Sequence, residues 1–354
     1  MSPRPSALSY VTAVHHLETY LGVSQADIHR LIAQVSANVG FVQYMQERDG
    51  KRRRITWVTD EELRSVHGRI LELLAPVAED LPPNVHAFIR GRSIRSNALQ
   101  HIAANFTQTF DLANFFTQVS RSMVTAGIVH FGATEEIAEV LAGLTTVSDS
   151  LPMGFMTSPM LANTSLHAFD ADLLALALDH GLAVSRYADD IVFSGAEEFD
   201  VSSYFGEIAA THGLRLNRAK TRSARRGQRM VVTGLSIANG DRPRLPRAYR
   251  SRIRQELHYI SVYGLEGHAD RLNTSEKYVG KRLSGRLAYA QSVDPDWVRD
   301  IAAKYPGAFN EVSISGTARS DAKRTASLER LVQRVRSSDV APLPAYTSSV
   351  HYRP

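Results

Sequence analysis

The 354-residue chain contains no cysteine, which excludes disulfide bridges and thiolate metal sites. The first ten residues lack the apolar core of a signal peptide, and no apolar run approaches the ~20 residues that a membrane-spanning helix needs. Internal repeats and low-complexity segments are also missing. From these absences we expect a protein of a reducing compartment, located in the cytoplasm and without a membrane partner.

Positive charge is concentrated in one part of the chain. The net charge is only +5, and 44% hydrophobic with 22% charged residues is typical of a folded protein of two or three domains. Between residues 215 and 254, however, thirteen lysines and arginines accompany a single acid. Such a stretch is either a solvated face or a surface for a nucleic-acid backbone, and its size favours nucleic acid. The candidate RNA-binding residues in it are Arg242, Arg244, Arg247, Arg250 and Arg254.

Two adjacent carboxylates, Asp189 and Asp190, lie between the β-prone runs 182–187 and 191–194. This pattern predicts a hairpin with the aspartates at its tip. Like charges side by side repel, and a bound cation is the usual way to keep both ionised. A solvated aspartate-rich turn is the alternative, but an exposed turn does not need the apolar run that follows. The pattern therefore favours a cation site.

A third carboxylate, Asp111, lies in a run of β-branched and aromatic residues from 106 to 112, which predicts a central strand. A carboxylate there is costly to bury unless it is paired or ligated. The strand leads into a helix predicted over residues 114–128. Farther along, a loop rich in proline and glycine at 151–159 precedes a long helix that we expect to end near His180.

Four consecutive cations, Lys51 to Arg54, follow the Asp49-Gly50 turn signal. Strands predicted at 41–45 and 55–58 place these cations at the tip of a hairpin. There they either are solvated or hold phosphate, for which guanidinium groups are suited. The remaining predicted elements are helices at 7–21, 24–37, 59–74, 135–144, 201–212 and 247–263, and a strand at 230–237.

In this order, the motifs resemble the palm of a reverse transcriptase over about residues 45 to 260. Asp111 matches the first catalytic motif, and Tyr187-Ala188-Asp189-Asp190 matches the family's Tyr-x-Asp-Asp box. The loop 151–159 resembles the nucleotide-pocket loop, and Asn217 to Lys220 resembles the Asn-x-x-Lys motif that follows the box. One departure is Met153, which stands where the family usually has glutamine and cannot donate the amide hydrogen bonds of that residue.

Two further signatures resemble those of bacterial retron reverse transcriptases. Asn97 to His101 matches the Asn-Ala-x-x-His signature, and Val232-Thr233-Gly234 matches the Val-Thr-Gly signature. Taken alone, His101 is more typical of a paired structural histidine. The resemblance implies RNA-binding roles for Asn97, His101, Val232, Thr233 and Gly234.

The resemblance also implies a catalytic apparatus. Asp111 and Asp189 would be the principal ligands of two Mg²⁺ ions and Asp190 a weaker one. Lys220 would donate a proton to pyrophosphate or simply contact phosphate, and Phe116 would exclude ribonucleotides. The nucleotide-binding residues would be Lys51, Arg53, Arg54, Phe116, Met153 and Gly154.

The implied fold is α+β, a right-hand polymerase with fingers, palm and a helical thumb. The expected divisions are an N-terminal helical segment 1–45, fingers 46–106, palm 107–240 with a fingers-associated insertion near 130–157, thumb 241–335 and tail 336–354.

The implied function is that of a retron enzyme, which copies part of a structured non-coding RNA into single-stranded DNA from deoxynucleotides. Priming from an RNA 2′-hydroxyl, a role in anti-phage defence and a neighbouring effector (toxin) protein are expected with it. The alternatives are another bacterial reverse transcriptase (abortive-infection, defence-associated or intron-derived) and a catalytically idle nucleic-acid-binding protein. The complete carboxylate set disfavours the idle protein.

Overall fold

The computed structural model describes residues 7–48 and 50–317. The chain divides into two compact units, Met1–Pro246 and Arg247–Pro354. The predicted tail at 336–354 and the end of the predicted thumb at 318–335 lie outside the described residues. Within the described ranges, none of the helices is both long and apolar enough to cross a membrane.

The first unit begins with helices and a hairpin. A 3₁₀ turn at Ala7–Tyr10 replaces the start of the first predicted helix. The predicted strands are too short, because hydrogen bonding continues through Arg48 paired with Lys51. The cations therefore occupy a strand and not the tip of the hairpin. The elements are α1 (Val14–Leu21), α2 (Gln25–Ser36), β1 (Phe41–Arg48) and β2 (Lys51–Val58).

Three helices connect the hairpin to the central sheet. The Asp60 side chain accepts a hydrogen bond of 2.8 Å from the Leu63 amide and so caps the first of them. Ser93 and Ser96 form a reciprocal capping box on the third. The helices are α3 (Glu61–Leu74), α4 (Val77–Asp80) and α5 (Ile94–Leu99).

The central sheet has four antiparallel strands in the order β4-β5-β3-β6. The predicted hairpin at Asp189 and Asp190 is present as β4 and β5, and the central strand pairs with β5 along its whole length. The strands are β3 (Phe106–Asp111), β4 (Ala183–Tyr187), β5 (Asp190–Gly195) and β6 (Arg222–Arg225).

Six helices pack with this sheet into one core, where the rings of Phe110 and Phe205 lie 4.3 Å apart. The helices are α6 (Phe115–Gln118), α7 (Arg121–His130), α8 (Glu135–Thr145), α9 (Ser158–Ser165), α10 (His167–Asp179) and α11 (Ser202–Thr211).

Two predicted helices are interrupted. The helix predicted at 114–128 breaks where the Val119 carbonyl leaves the helix and accepts from the Leu151 amide at 3.0 Å. The helix predicted to reach His180 breaks at Leu166, because the Thr164 and Ser165 hydroxyls both donate to the Leu161 carbonyl. A backbone hydrogen bond to a distant loop in the first case, and local side-chain hydrogen bonds in the second, thus override the apolar periodicity.

The strand predicted at 230–237 is instead a small hairpin of β7 (Val231–Val232) and β8 (Leu235–Ser236). Its two turn residues, Thr233 and Gly234, have φ angles of 45° and 82°. Positive φ at both central residues is the geometry of a type I′ turn, which matches the twist of paired strands.

The second unit is helical. Its first helix is interrupted at Gly264, whose φ of 71° leaves the helical region, so the segment that starts at Arg247 ends where predicted, at Tyr263. The buried Glu256 accepts hydrogen bonds from Arg282, at 2.7 Å, and from Arg286. The helices are α12 (Arg247–Arg271), α13 (Glu276–Val293), α14 (Pro295–Lys304) and α15 (Pro306–Thr317).

Gly127 marks a close approach of α7 to the end of α9. A Cβ at Gly127 would lie 2.8 Å from the Thr164 carbonyl oxygen, so Gly127→Ala should lower the free energy of unfolding by about 1–3 kcal/mol. The control is Gly68→Ala in α3, where no atom lies within 4 Å and the substitution should stabilise the helix by up to about 1 kcal/mol. Urea unfolding measures both, and equal effects would contradict the packing described.

Candidate active site

Sheet register brings the three carboxylates together. Asp111 at the end of β3 is the direct cross-strand partner of Asp190 at the start of β5. The Leu112 amide donates to the Asp189 carbonyl at 2.9 Å, and Ala188 turns the chain with a φ of 58°. The hairpin tip therefore lies against the strand end that carries Asp111.

The clustering is electrostatically unfavourable without a cation. Burial raises the pKa of Asp189, and the neighbouring Asp111 raises it further. Burial, followed by the charges of Asp189 and Asp111, raises the pKa of Asp190 to about 6. The charges of Lys220 and Arg53 act in the opposite direction on Asp189. Additional positive charge at this place would keep all three carboxylates ionised.

Lys220 supplies one such charge. It ends a 3₁₀ turn, Arg218–Lys220, that follows Asn217, and the Asn217 amide donates to the backbone carbonyl of Asp111 at 2.8 Å. This bond brings the turn beside β3, where the Lys220 ammonium donates to Asp111 Oδ2. The predicted Asn-x-x-Lys motif is thus joined to the first carboxylate by backbone and side chain.

The donor set fits a divalent cation. Three neighbouring carboxylates offer the hard oxygen ligands that Mg²⁺ prefers, and burial together with neighbouring negative charge raises the pKa values of Asp189 and Asp190. Among the residues that the structure describes, no three acidic or histidine side chains already converge as a complete set of ligands. One Asp111 oxygen is held by Lys220, so this ion pair would open when a metal binds.

The loop at 151–159 is tied to the basic hairpin. The Thr56 amide in β2 donates to the Met153 carbonyl at 2.7 Å. Gly154 has a φ of 117°, and a Cβ there would lie 2.4 Å from the Thr56 carbonyl oxygen. Ser158, at the start of α9, donates to the Pro152 carbonyl at 2.7 Å. The main chain of Met153 thus forms a hydrogen bond between the loop and the hairpin.

The other predicted nucleotide-binding residues lie on two elements. Arg53 and Arg54 are exposed on β2, and Lys51 is the first residue of that strand. Phe116 is half-buried in α6, with its ring 6.3 Å from that of Phe88. Phe88 was not predicted as a site residue; it is 47% exposed and has a φ of 61°, a strained backbone that only the structure reveals.

A cleft of about 340 Å³ extends from the carboxylates to the β7–β8 turn. Asp111, Asp190 and Lys220 line one part of it, and Thr233 and Gly234 line another. The Val-Thr-Gly signature therefore faces the same cleft as the carboxylates, although more than forty residues separate Gly234 from Asp190 in sequence. Val232 is 0% exposed, so the expectation that its side chain contacts RNA is wrong.

The Asn-Ala-x-x-His signature is buried. The Asn97 amide donates to the Thr233 hydroxyl at 3.4 Å, and that hydroxyl donates to the Ile94 carbonyl at 3.2 Å. His101 lies 2.7 Å from the Ser185 and Ser194 hydroxyls of β4 and β5. Burial lowers the pKa of His101 to about 3, so its ring is neutral.

This placement corrects the expectation of direct RNA contacts by Asn97 and His101. Both side chains are at most 1% exposed, which leaves no surface for an RNA strand. The interpretation of His101 as a paired structural histidine agrees with its two serine partners. Helix α5 connects the β7–β8 turn to the hairpin that carries Asp189 and Asp190.

The predicted basic residues lie in both units. In the first, the Arg244 guanidinium pairs with Asp241 at 2.5 Å, and the Arg242 amide donates to the same carboxylate at 2.8 Å. In the second, the first two turns of α12 carry three arginines at positions that share one helix face. They are Arg247, Arg250 and Arg254.

The largest omission of the sequence analysis is a buried ion pair between Arg186 and Asp170, both 0% exposed. Arg186 immediately precedes Tyr187 of the aspartate box, and Asp170 interrupts the apolar stripe of α10. The sequence signal for this ion pair was Asp170, a charged residue inside an otherwise apolar run, because charged groups are rarely buried unless they are paired. Sequence alone does not show which two charges meet.

Gly154 offers a test of the contact between loop and hairpin. Gly154→Ala should lower the free energy of unfolding by about 1–3 kcal/mol and accelerate hydrogen exchange at the Thr56 amide, because the new Cβ displaces β2. Gly91→Ala is the matched control, since Gly91 also has a positive φ, 80°, but no atom within 4 Å. Unchanged exchange at Thr56 in Gly154→Ala would rule out the contact.

Comparisons with known proteins identify related sequences. The chain is 30% identical to the retron Mx65 reverse transcriptase of Myxococcus xanthus over 66% of this chain and 60% of that protein. It is 29% identical to the retron Mx162 enzyme of the same organism, over 82% of this chain and 66% of that protein. It is also 29% identical to the retron Ec86 enzyme of Escherichia coli, over 73% and 81%. The chain thus spans 60% and 66% of the two Myxococcus relatives.

Among solved structures, a telomerase from Candida albicans in complex with a fragment of telomeric RNA is weakly similar. The TM-score is 0.45 at 11% identity, over 88% of this chain and 68% of that chain. Residues 45–262, more than half of the chain, match the family described as reverse transcriptase (RNA-dependent DNA polymerase). The resemblance to retron enzymes and the predicted α+β right-hand polymerase fold are confirmed, and the chain belongs to the reverse transcriptase family.

Proposed function

We propose that the protein is an RNA-directed DNA polymerase that adds deoxynucleotides to a primer on an RNA template. The observation that carries this proposal is the register of the central sheet, which pairs Asp111 with Asp190 and brings Asp189 beside them. Membership of the reverse transcriptase family supports the same reaction. A catalytically idle protein would have no need to retain this costly cluster of like charges.

The chain's own groups have separate roles in the proposed reaction. Asp111 and Asp189 would hold the principal positions around two Mg²⁺ ions and Asp190 a weaker one; when bound, such ions activate the primer hydroxyl and stabilise the pyrophosphate leaving group. Lys220 would leave Asp111 and contact the departing phosphate as an acid or as a fixed charge. Its ion pair with Asp111 supports this role, because it holds the ammonium beside the carboxylates.

The incoming deoxynucleotide would lie between β2 and α6. Arg53, assisted by Lys51 and Arg54, would hold the triphosphate, and the influence of Arg53 on the pKa of Asp189 supports its proximity to the carboxylates. Phe116 would exclude the ribose 2′-hydroxyl, with Phe88 supporting its ring. Met153 and Gly154 would shape the pocket through their main chain, which already contacts Thr56.

We further propose that the enzyme is of the retron type and copies part of a structured non-coding RNA into single-stranded DNA, starting from an RNA 2′-hydroxyl. Relatives named as retron reverse transcriptases support this, as does the cleft that joins the carboxylates to Thr233 and Gly234. Double-stranded RNA is recognised mainly through shape and backbone, and the basic residues on both units are suited to that. Anti-phage defence with a neighbouring effector protein belongs to the same proposal.

Within this proposal the first unit would contain the fingers and palm, and the second would be the thumb. The arginines at the start of α12 would contact the nucleic-acid backbone, since they are spaced along one helix face. The second unit begins at Arg247, six residues after the predicted start of the thumb at 241.

Neutral substitutions of the carboxylates test the polymerase proposal. Asp111→Asn and Asp189→Asn should each reduce Mg²⁺-dependent deoxynucleotide incorporation by at least about 100-fold, and Asp190→Asn should reduce it less. Asp189→Asn and Asp190→Asn should raise or preserve the melting temperature, because a like charge is removed, whereas Asp111→Asn also loses its ion pair with Lys220 and should leave the protein folded. The control is Asp172→Asn, whose carboxylate pairs with His212 on the surface. Folded Asp111→Asn and Asp189→Asn proteins with wild-type rates would contradict the proposal.

The retron proposal predicts a branched product. With the flanking locus co-expressed, the purified small DNA should change gel mobility after treatment with a 2′,5′-debranching enzyme. The double variant Thr233→Asn/Gly234→Asn preserves left-handed turn residues but alters the face that lines the cleft. It should lose the branched product while extending an annealed primer at a rate within about twofold of wild type.

The control for this variant is Gly213→Asn, which changes another exposed residue with positive φ, 69°, and should leave both reactions unchanged. Linear products alone, primed from 3′ ends, would favour another kind of bacterial reverse transcriptase. Equal damage to both reactions by the double variant would mean that the turn does not select the RNA.

A further inference from the structure

Arg186 is the largest side chain that the structure buries completely. Its guanidinium forms a two-pronged ion pair with Asp170 of α10, from Nε to Oδ1 at 2.5 Å and from Nη2 to Oδ2 at 2.6 Å. Both side chains are 0% exposed. Replacing a buried pair of this kind with apolar residues is often neutral for stability, so stability alone does not explain its presence.

The remaining guanidinium nitrogen contacts the turn that carries the aspartates. Nη1 donates to the Ala188 carbonyl at 3.3 Å and to the Asn163 side-chain oxygen at 3.1 Å. Ala188 has a φ of 58°, a left-handed conformation that residues with a Cβ adopt only at an energetic cost. The hydrogen bond to its carbonyl therefore holds a strained residue directly before Asp189.

Surrounding elements fix the guanidinium in turn. Asn163, in the helix that follows the 151–159 loop, also donates to the Ala87 carbonyl at 2.8 Å. The main chain of Arg186 exchanges hydrogen bonds with the Asn84 carbonyl and the His86 amide, at 2.7 and 2.9 Å. Arg186 is thus anchored by two helices, α9 and α10, and by the segment 84–87.

We propose that Arg186 is a positioning residue for the catalytic turn, and that Asp170 and Asn163 hold its guanidinium in place for that purpose. The three residues are called the Arg186 cluster below. Through its hydrogen bond to the Ala188 carbonyl, the cluster stabilises the left-handed conformation of Ala188 and keeps Asp189 beside Asp111. The effect of this role on catalysis rests on the proposed polymerase function. Its effect on the conformation of the turn does not.

The chemistry of the two basic residues makes the proposal testable. A guanidinium has five donors in a rigid plane and can serve a carboxylate and a carbonyl at once, whereas an ammonium on a flexible stem cannot reproduce that fork. Arg186→Lys therefore preserves the charge but should release the turn. The double variant Asp170→Leu/Arg186→Met replaces the ion pair with two apolar side chains. It should fold but lack the hydrogen bond to the Ala188 carbonyl.

Three measurements separate positioning from stability: the melting temperature, the kcat and KM for deoxynucleotide on an annealed RNA–primer duplex, and metal-free hydrogen exchange in peptides that cover residues 186–192. Arg282→Lys is the control. Arg282 is a partly buried arginine of the second unit, and it donates to the Glu256 carboxylate at 2.7 Å.

We expect Arg186→Lys and the double variant to lose at least about tenfold in kcat, with KM within about twofold of wild type and faster exchange confined to residues 186–192. The double variant should do so at a melting temperature close to that of wild type. Arg282→Lys should lower the melting temperature without changing kcat or exchange in that segment.

A double variant with wild-type melting, exchange and kcat would overturn the proposal, as would a kcat loss that only follows the fraction of unfolded protein. If neither variant folds, the cluster is structural and the proposal is also overturned. Failure of the polymerase proposal is recognised separately, because wild-type protein would then lack incorporation while the exchange experiment would still report on the turn.

Discussion

The structure depends on one electrostatic constraint, the confinement of three carboxylates to one end of a hydrogen-bonded sheet. Antiparallel register fixes Asp111 opposite Asp190, so their repulsion cannot be relieved by sliding the strands. The raised pKa values of Asp189 and Asp190 express that repulsion together with burial. The cations around them have distinct tasks: Lys220 pairs with Asp111 directly, whereas Arg186 supports the backbone from inside the core.

Elements outside the sheet are connected to this centre through hydrogen bonds and not through apolar packing alone. The basic hairpin reaches it through Thr56 and the 151–159 loop, and α9 reaches it through Asn163 and Arg186. Helix α5 contacts the β7–β8 turn through Asn97, and His101, two residues after the helix, contacts the hairpin of β4 and β5. In the proposed retron enzyme, this helix would couple the surface that selects the RNA to the site that extends DNA.

The sequence was sufficient to predict the catalytic hairpin, the central strand and the helical start of the second unit, because their patterns depend on local periodicity and turn residues. It was insufficient where local hydrogen bonds compete with periodicity, as at Leu166, where two hydroxyls end the helix. It misplaced the four cations, since pairing of Arg48 with Lys51 lengthens both strands. The Asp170–Arg186 pair spans sixteen residues between a helix and a strand, and only tertiary structure reveals such a partnership.

The central claim is that these carboxylates serve template-directed DNA synthesis on RNA. It is tested most directly with the purified wild-type protein, an annealed primer on an RNA template and the four deoxynucleoside triphosphates supplied one at a time. We predict a single addition of the complementary deoxynucleotide that depends on a divalent cation and is abolished when the cation is chelated. Little of the matching ribonucleotide should be added. Absence of addition with every divalent cation tried, or addition that ignores the template base, would contradict it.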